Sequence, residues 1–378
     1  MTELQPGMVS FAPGRICLFG EHQDYLKFPV IAASIDLGIY IEFKGFHDPE
    51  DAQIIIEMPD MDETRTIELD IPIPYEGKRD YIASSINGLA RNGIVATKGF
   101  TARITGTLPI NAGASSSSAL VVAWLNLLAH LFSNEPVDPF QRAKWANQAE
   151  VGEFGEAGGF MDHVTSSVGN ILFVRHDFTV ENLPVPKNMY VVLADSEQKK
   201  QTVDDLKRLR SSVEDQVSRV MKSRKGFSIT DEKFCNEKFV AGNATTGLRL
   251  QKDYPLVYAN LQNGIITKKA LVTFKSKNPS VKIIGDLVNQ HFSYLRDYSH
   301  ISTEKINTMV NASLEAGAAG AKINGSGFGG TIFALCESKE IQEAVAEAIA
   351  GAGGKVFPVG ISDGAKIVDK SAVVAELH

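Results

Sequence analysis

Pro109-Ile110-Asn111-Ala112-Gly113-Ala114-Ser115-Ser116-Ser117-Ser118-Ala119-Leu120 lies between a strand-forming run, Phe100 to Thr105, and an apolar run that reaches Phe132. The residues from Ser115 to Phe132 are apolar on nearly every side, so they predict a buried helix. Small residues before that helix let its backbone approach a ligand closely, and the first helical N–H groups have no partner within the helix. Such a helix start binds anions, phosphate above all. The bland alternative is a helix capped by a serine. One hydroxyl suffices for a cap, and four stand here in a row. The extra hydroxyls add hydrogen-bond donors and a candidate magnesium ligand.

Two more segments bear on chemistry. In Ala12-Pro13-Gly14-Arg15-Ile16-Cys17-Leu18-Phe19-Gly20-Glu21-His22-Gln23-Asp24-Tyr25, Gly20 predicts a turn that gathers Glu21, His22 and Asp24. Two carboxylates and an imidazole at this spacing can hydrogen-bond several hydroxyls of a polyol. They can also form a solvated polar turn. A metal pair of His22 and Asp24 is disfavoured, because nothing suggests the all-β barrel in which such pairs are usual. Gly325-Ser326-Gly327-Phe328-Gly329-Gly330 matches G-x-G-x-x-G in form. Thr331 to Leu335 continues as a strand where the dinucleotide fingerprint needs a helix, so that reading is rejected. The segment is either a tight turn or a glycine loop closing over a ligand. Neither a Walker loop nor the protein-kinase signatures are present. Glu150 in Gln148-Ala149-Glu150, and Asp162 twelve residues later in Gly158-Gly159-Phe160-Met161-Asp162-His163, complete the acidic candidates. Taken singly, each reads as an ordinary surface acid.

Around these segments the chain has 378 residues, about two domains' worth. Hydrophobic residues are 44% and charged residues 22%, which predicts folded cores. The net charge of −7, with no basic block, speaks against a chain built to wrap nucleic acid or bind anionic membranes. Cys17, Cys235 and Cys336 are far apart and odd in number, so neither a disulfide framework nor a CxxC zinc site is expected, and a reducing compartment is. No signal peptide or membrane span is read from the sequence, so a soluble cytoplasmic protein is expected. Further strands are predicted at Ile35 to Phe46, Ile54 to Met58, Thr64 to Leu69, Gly169 to Arg175, Met189 to Ala194, Ala321 to Cys336 and Gly354 to Val359. A helix begins at Asp138-Pro139 and runs to Phe154. Others cover Thr202 to Lys225, Val281 to Tyr294, Thr303 to Ala316 and Lys339 to Ala350. The mixture is α+β. The short stretch Leu183-Pro184-Val185-Pro186 predicts a boundary, giving domains 1–184 and 185–378.

Together the motifs resemble the GHMP superfamily of small-molecule kinases, and within it the galactokinases. P-G-R-x-x-x-x-G-E-H-x-D-Y stands as Pro13 to Tyr25, P-x-x-x-G-x-S-S-S as Pro109 to Ser117, and K-x-x-G-x-G-F-G-G as Lys322 to Gly330. Ala149-Glu150 and Met161-Asp162 match a fourth element. The resemblance implies an N-terminal ATP- and sugar-binding domain with a left-handed βαβ feature, and a C-terminal ferredoxin-like α+β domain. It implies ATP and magnesium as cofactors, and a free sugar phosphorylated at the anomeric hydroxyl. By the same resemblance, Asp162 is the catalytic aspartate, with Arg15 contacting it and the transferred phosphoryl. Glu21, His22 and Asp24 read sugar hydroxyls. Pro109, Asn111, Ala112, Gly113, Ala114, Ser115, Ser116 and Ser117 belong to the ATP loop, with Tyr81 near the adenine. Ser116 and Glu150 hold magnesium, with Ser115 or Ser117 taking the serine's place if the register slips. Gly325, Gly327 and Gly329 form a loop near the site.

Departures fall on the sugar side: Gln23 in place of threonine, Leu26-Lys27-Phe28 after Asp24-Tyr25, the stretch Glu156 to Phe160, and His163 in place of glutamine. The sugar therefore stays open among hexoses, amino sugars, uronic acids and heptoses. The competing functions are a kinase for a non-sugar alcohol such as mevalonate and a non-catalytic sensor of sugar and ATP. The oligomeric state is not read from the sequence.

Overall fold

Met8–Phe19 forms the first strand, β1, although it contains Pro13 and Gly14. Proline cannot donate to a ladder, and it is tolerated in a strand where the pairing is irregular. The pairing of β1 with the second strand does shift register between Pro13 and Arg15. The computed structural model describes residues 5–109, 113–156, 158–198, 202–242 and 249–373. The strands after β1 are β2 (Val30–Phe46), β3 (Gln53–Met58), β4 (Glu63–Glu68), β5 (Phe100–Gly106), β6 (Ile171–Val174), β7 (Val180–Leu183), β8 (Tyr190–Asp195), β9 (Gly320–Ile323), β10 (Thr331–Cys336), β11 (Lys355–Val359) and β12 (Lys366–Asp369). The helices are α1 (Tyr81–Arg91), α2 (Ser116–Phe132), α3 (Pro139–Asn147), α4 (Met161–Val168), α5 (Thr202–Ser223), α6 (Glu237–Gly242), α7 (Leu250–Asp253), α8 (Pro255–Phe274), α9 (Val281–Asp297), α10 (Glu304–Glu315), α11 (Lys339–Gly351) and α12 (Lys370–Val373).

The first sheet has the order β12-β1-β2-β5-β3-β4, with β6 and β7 added along the N-terminal part of β2. Its parallel pair, β3 with β5, is joined by a crossover through β4 and α1. The second sheet is antiparallel in the order β11-β8-β10-β9. With helices after β8 and between β10 and β11, it has the β-α-β-β-α-β arrangement of ferredoxin-like domains. The chain passes from the first sheet to the second between Leu183 and Tyr190, and β12 carries it back to pair with β1. The first sheet therefore includes a strand from the part of the chain that the sequence division assigned to 185–378.

Helix α2 is buried around most of its circumference, with Trp124 and Leu127 fully enclosed. Trp124 packs against Phe100 of β5, in a core that also takes Ile41 and Phe43 of β2. A large side chain buried in this way contributes about 1.5–3 kcal/mol. A second core joins the two sheets: Ile16, Leu18 and Ile31 from the first meet Val191, Leu193 and Phe333 from the second, with Phe274, Ile284 and Val288 of α8 and α9.

Three expectations need correction. The helix begun by Asp138, whose carboxylate accepts from the N–H groups of Phe140 and Gln141 as a cap should, ends at Asn147. It loosens into a π-helical turn, Gln148–Gly152, which carries Glu150. The strand read across Ala321 to Cys336 is two strands, β9 and β10, with the glycine loop between them. The strand at Ile35 begins earlier, at Val30. Helices α1 and α8 and strands β1 and β12 were not read from the sequence. Among the described residues, no helix is long and apolar enough to cross a membrane. The three cysteines are buried free thiols.

Candidate active site

The irregularity in β1 re-aims Arg15, as bulges near active sites commonly do. Its Nε donates to Asp162 Oδ1 at 2.7 Å and its NH1 to the Gly113 carbonyl at 2.7 Å. One guanidinium thus joins the acidic candidate to the small-residue loop. Asp162 sits in the first turn of α4 with a side chain 30% exposed, whereas that of Arg15 is 6% exposed. Burial pushes the Asp162 carboxyl up, and the charge and hydrogen bond of Arg15 outweigh it, so the group stays below the usual carboxylate range. Asp162 is therefore an anion at neutral pH.

The start of α2 lies beside this pair. Ser115 takes left-handed backbone angles (φ 62°), and its side chain makes no capping hydrogen bond. A conventional cap has extended angles and fills the N–H of N2 or N3 with its own oxygen. Here the helix keeps its amides uncapped, because the buried Ser115 Oγ bonds none of them and instead helps to hold the Asp162 carboxyl low. Gly113, Ala114, Ser116 and Ser117 flank it, and Pro109 precedes it; Asn111 and Ala112 lie outside the described residues. Free amides at a helix start are the local geometry that an anion site needs.

Glu150 approaches the same helix. Its Oε1 accepts from Ser117 Oγ at 2.8 Å, and its Oε2 lies 2.7 Å from His163 Nε2. The other imidazole nitrogen lies 3.3 Å from Asn147 Nδ2. The resemblance placed Ser116 with Glu150, or Ser115 or Ser117 with a slip of one; the hydrogen bond runs to Ser117. The sequence noted His163 only as a departure, and its burial beside Glu150 gives it a place. Magnesium suits hard oxygen donors and keeps several positions for phosphate and water. The Ser116 and Ser117 hydroxyls with the Glu150 carboxylate fit that pattern. Among the described residues there is no cluster of three or more His, Cys, Asp or Glu side chains that could hold a metal unaided.

Glu21, His22 and Asp24 diverge. Glu21 pairs with Lys322 of β9, both buried. His22 Nε2 lies 3.0 Å from the Ser326 carbonyl of the glycine loop. These two contacts join the turn after β1 to the second sheet. Asp24 instead lines a cavity of about 350 Å³ with Tyr25, Gly159, Phe160 and Arg210. Its Oδ2 sits so close to Gly159 that a Cβ there would come within 2.1 Å, so any larger residue at that position would have to displace the Asp24 carboxylate. Burial raises the Asp24 carboxyl above its ordinary value; the Tyr25 N–H opposes this, and the charge of Asp162 adds to it. The two acids are thus driven in opposite directions, the pattern by which one site holds carboxylates in different states.

Gln23 is fully buried and donates from Nε2 to the Asn260 carbonyl of α8 at 2.7 Å. Tyr81 begins α1, its hydroxyl donates to Glu156 at 2.8 Å, and its ring meets Phe154 edge-on. In the glycine loop Gly325, Gly327 and Gly329 all have positive φ, and a Cβ on Gly325 would come 2.9 Å from the Gly113 carbonyl. The loop therefore touches the segment before α2. Asn324 reinforces that contact, donating to the Gly113 carbonyl at 3.1 Å while accepting from the Cys17 N–H.

An uncapped helix start, a carboxylate paired with an arginine, and a second carboxylate held by a helix hydroxyl make a site suited to phosphoryl transfer. Residues 80–170 match the GHMP kinases N-terminal domain, residues 270–355 the GHMP kinases C-terminal domain, and residues 2–44 the galactokinase galactose-binding signature. A mevalonate kinase of Thermococcus sibiricus is 30% identical over 96% of this chain and 98% of its own. A galactokinase of Pyrococcus furiosus is 26% identical over 89% and 91% respectively. The crystal structure of Lactococcus lactis galactokinase complexed with galactose superposes with a TM-score of 0.79, at 22% identity, over 95% of this chain and 94% of that one. The chain belongs to the GHMP kinase family.

Proposed function

We propose that this protein transfers the terminal phosphoryl group of ATP to the anomeric hydroxyl of a free monosaccharide, as a galactokinase-like sugar 1-kinase. The observation that carries the reading is the 2.7 Å pair of Arg15 and Asp162 set against the uncapped start of α2. The galactose-binding signature over residues 2–44 supports a sugar as acceptor.

The α2 amides and serine hydroxyls receive the nucleotide phosphates, and Arg15 meets the transferred group. Magnesium, bound through Glu150 and a serine hydroxyl, would neutralise phosphate charge. Asp162 orients the attacking hydroxyl and accepts its proton. Held low by Arg15, it is a weak base, which suffices when bond breaking to the leaving group leads. The glycine loop lies over the segment before α2 and limits water around the phosphates. A second reading, a non-sugar alcohol as acceptor, is favoured by the mevalonate kinase relative.

The test is ADP release over a panel of free sugars and mevalonate with ATP and magnesium. The expected result is turnover with a sugar, reduced by at least two orders of magnitude in Asp162→Ala. Turnover with mevalonate alone would transfer the assignment to the second reading.

A further inference from the structure

The cavity beside Asp24 is lined by the cations Lys27, Arg175 and Arg210, with His176 beside them, and by the acids Asp24 and Glu156. Of the two acids Glu156 is committed, whereas Asp24 is in no ion pair among the described residues and burial raises its carboxyl above the ordinary value. Glu156 is held by Arg79 at 2.7 Å and by the Tyr81 hydroxyl at 2.8 Å. The cations are less well matched. Lys27 follows the short turn Asp24–Leu26 with left-handed backbone angles and has no ion-pair partner among the described residues. Arg175, just after β6, lies over the Phe173 ring at 4.6 Å but reaches Glu181 only at 3.8 Å, and Lys275 holds that carboxylate at 2.7 Å. Arg210 of α5 is paired with Glu214 at 2.8 Å and lies over the Tyr25 ring. Cations from three separate elements therefore converge on one cavity in a chain whose net charge is −7.

A neutral sugar offers only hydroxyls to these groups. A carboxylate or phosphate offers charge-assisted hydrogen bonds, which arginine in particular is shaped to make. About 350 Å³ suits a single small ligand. Gly159, which lines the cavity, leads through Phe160 and Met161 to Asp162, so the hydroxyl to be phosphorylated belongs at that end. We infer that the acceptor is an acidic monosaccharide, with a carboxylate or phosphate at the end remote from the phosphorylated hydroxyl, met by Lys27 and Arg175. This rests on the sugar-kinase reading and narrows it to a substrate class.

The experiment uses the full chain with galactose, galacturonic acid and galactose 6-phosphate. Each is measured by ADP release and, separately, by calorimetric binding in the presence of ADP and magnesium. Lys27→Ala and Arg175→Ala are compared with Arg175→Lys, which keeps the charge. The expected result is kcat/KM at least about ten-fold higher for an acidic sugar than for galactose. Its KM should rise about ten-fold in each alanine variant and partly recover in Arg175→Lys, with the KM for ATP unmoved. Preference for galacturonic acid or for galactose 6-phosphate identifies the acidic group as carboxylate or phosphate. Equal or better turnover of galactose, with alanine variants indifferent to the acid, would overturn the inference and leave the sugar kinase standing. Binding of an acidic sugar that is lost in the variants, without turnover, would keep the pocket assignment and sink the kinase. No binding and no turnover of any sugar overturns both.

Discussion

At the scale of single residues, Arg15 decides the ionisation of the site. Asp162 is pushed up by burial and pulled down further by Arg15. Its folded value lies below its unfolded one, so the stability this pair contributes is present above the ordinary carboxylate range and lost as pH falls through the folded value. Removing the guanidinium leaves burial in charge. In Arg15→Gln the acid limb of the residual kcat/KM should move to higher pH than in the unmodified protein. A limb that stays in place would show that Arg15 does not set the ionisation. His163 offers a second residue-scale prediction. Its Nε2 faces Oε2 of Glu150, the carboxylate proposed to hold magnesium, and neighbours of metal-binding carboxylates are typically worth ten- to a hundred-fold. In His163→Ala the calorimetric affinity for ADP with manganese should fall about ten-fold. In His163→Gln, whose amide can donate to the same oxygen, it should largely return. Equal affinities in all three would remove His163 from any positioning role.

At the scale of elements, close packing limits what can change. Helix α9 lies so near β9 that a Cβ on Gly285 would come within 2.4 Å of the Ala319 backbone. A backbone neighbour cannot rotate away, so Gly285→Ala should lower unfolding free energy by about 1–3 kcal/mol in urea titration. A neutral result would mean that α9 slides at no cost. The same contrast between local and distant causes explains what the sequence could convey. Helix α2 was legible because its apolar run and serine start are local signals, and the Asp138-Pro139 start of α3 was legible for the same reason. Strand β1 was hidden: Pro13 and Gly14 argue against a strand, and only pairing with β2 and β12 overrides them. The π-helical turn at Glu150 was hidden too, because such turns are rare single-turn features with no composition signal of their own. The motif residues could be named one by one, yet their partners could not. Nothing local tells that Glu21 faces Lys322 some three hundred positions away while Asp24, three residues on, opens into a cavity.

At the scale of the whole molecule, that Glu21–Lys322 pair is a tie between the two sheets. Glu21 follows β1, Lys322 belongs to β9, and both side chains are almost wholly enclosed. Lys322 also donates to the Ile323 carbonyl at 3.0 Å and lies 5.1 Å from the Phe333 ring centroid. Two charges enclosed together gain from each other roughly what they lost in leaving water, so the intact pair adds little net stability. Removing one partner is different, because the other is left buried and uncompensated. Lys322→Met should therefore cost about 3–5 kcal/mol in urea unfolding. Adding Glu21→Gln to Lys322→Met should restore a substantial part of that loss, because the stranded charge is gone. The tie also holds the turn that carries Asp24, so the single variant should raise the KM for the acceptor more than the KM for ATP. If Lys322→Met unfolds at the same urea concentration as the unmodified chain, the pair is not a tie. If the double variant is no more stable than the single one, the cost comes from lost packing around Phe333 and not from an isolated charge.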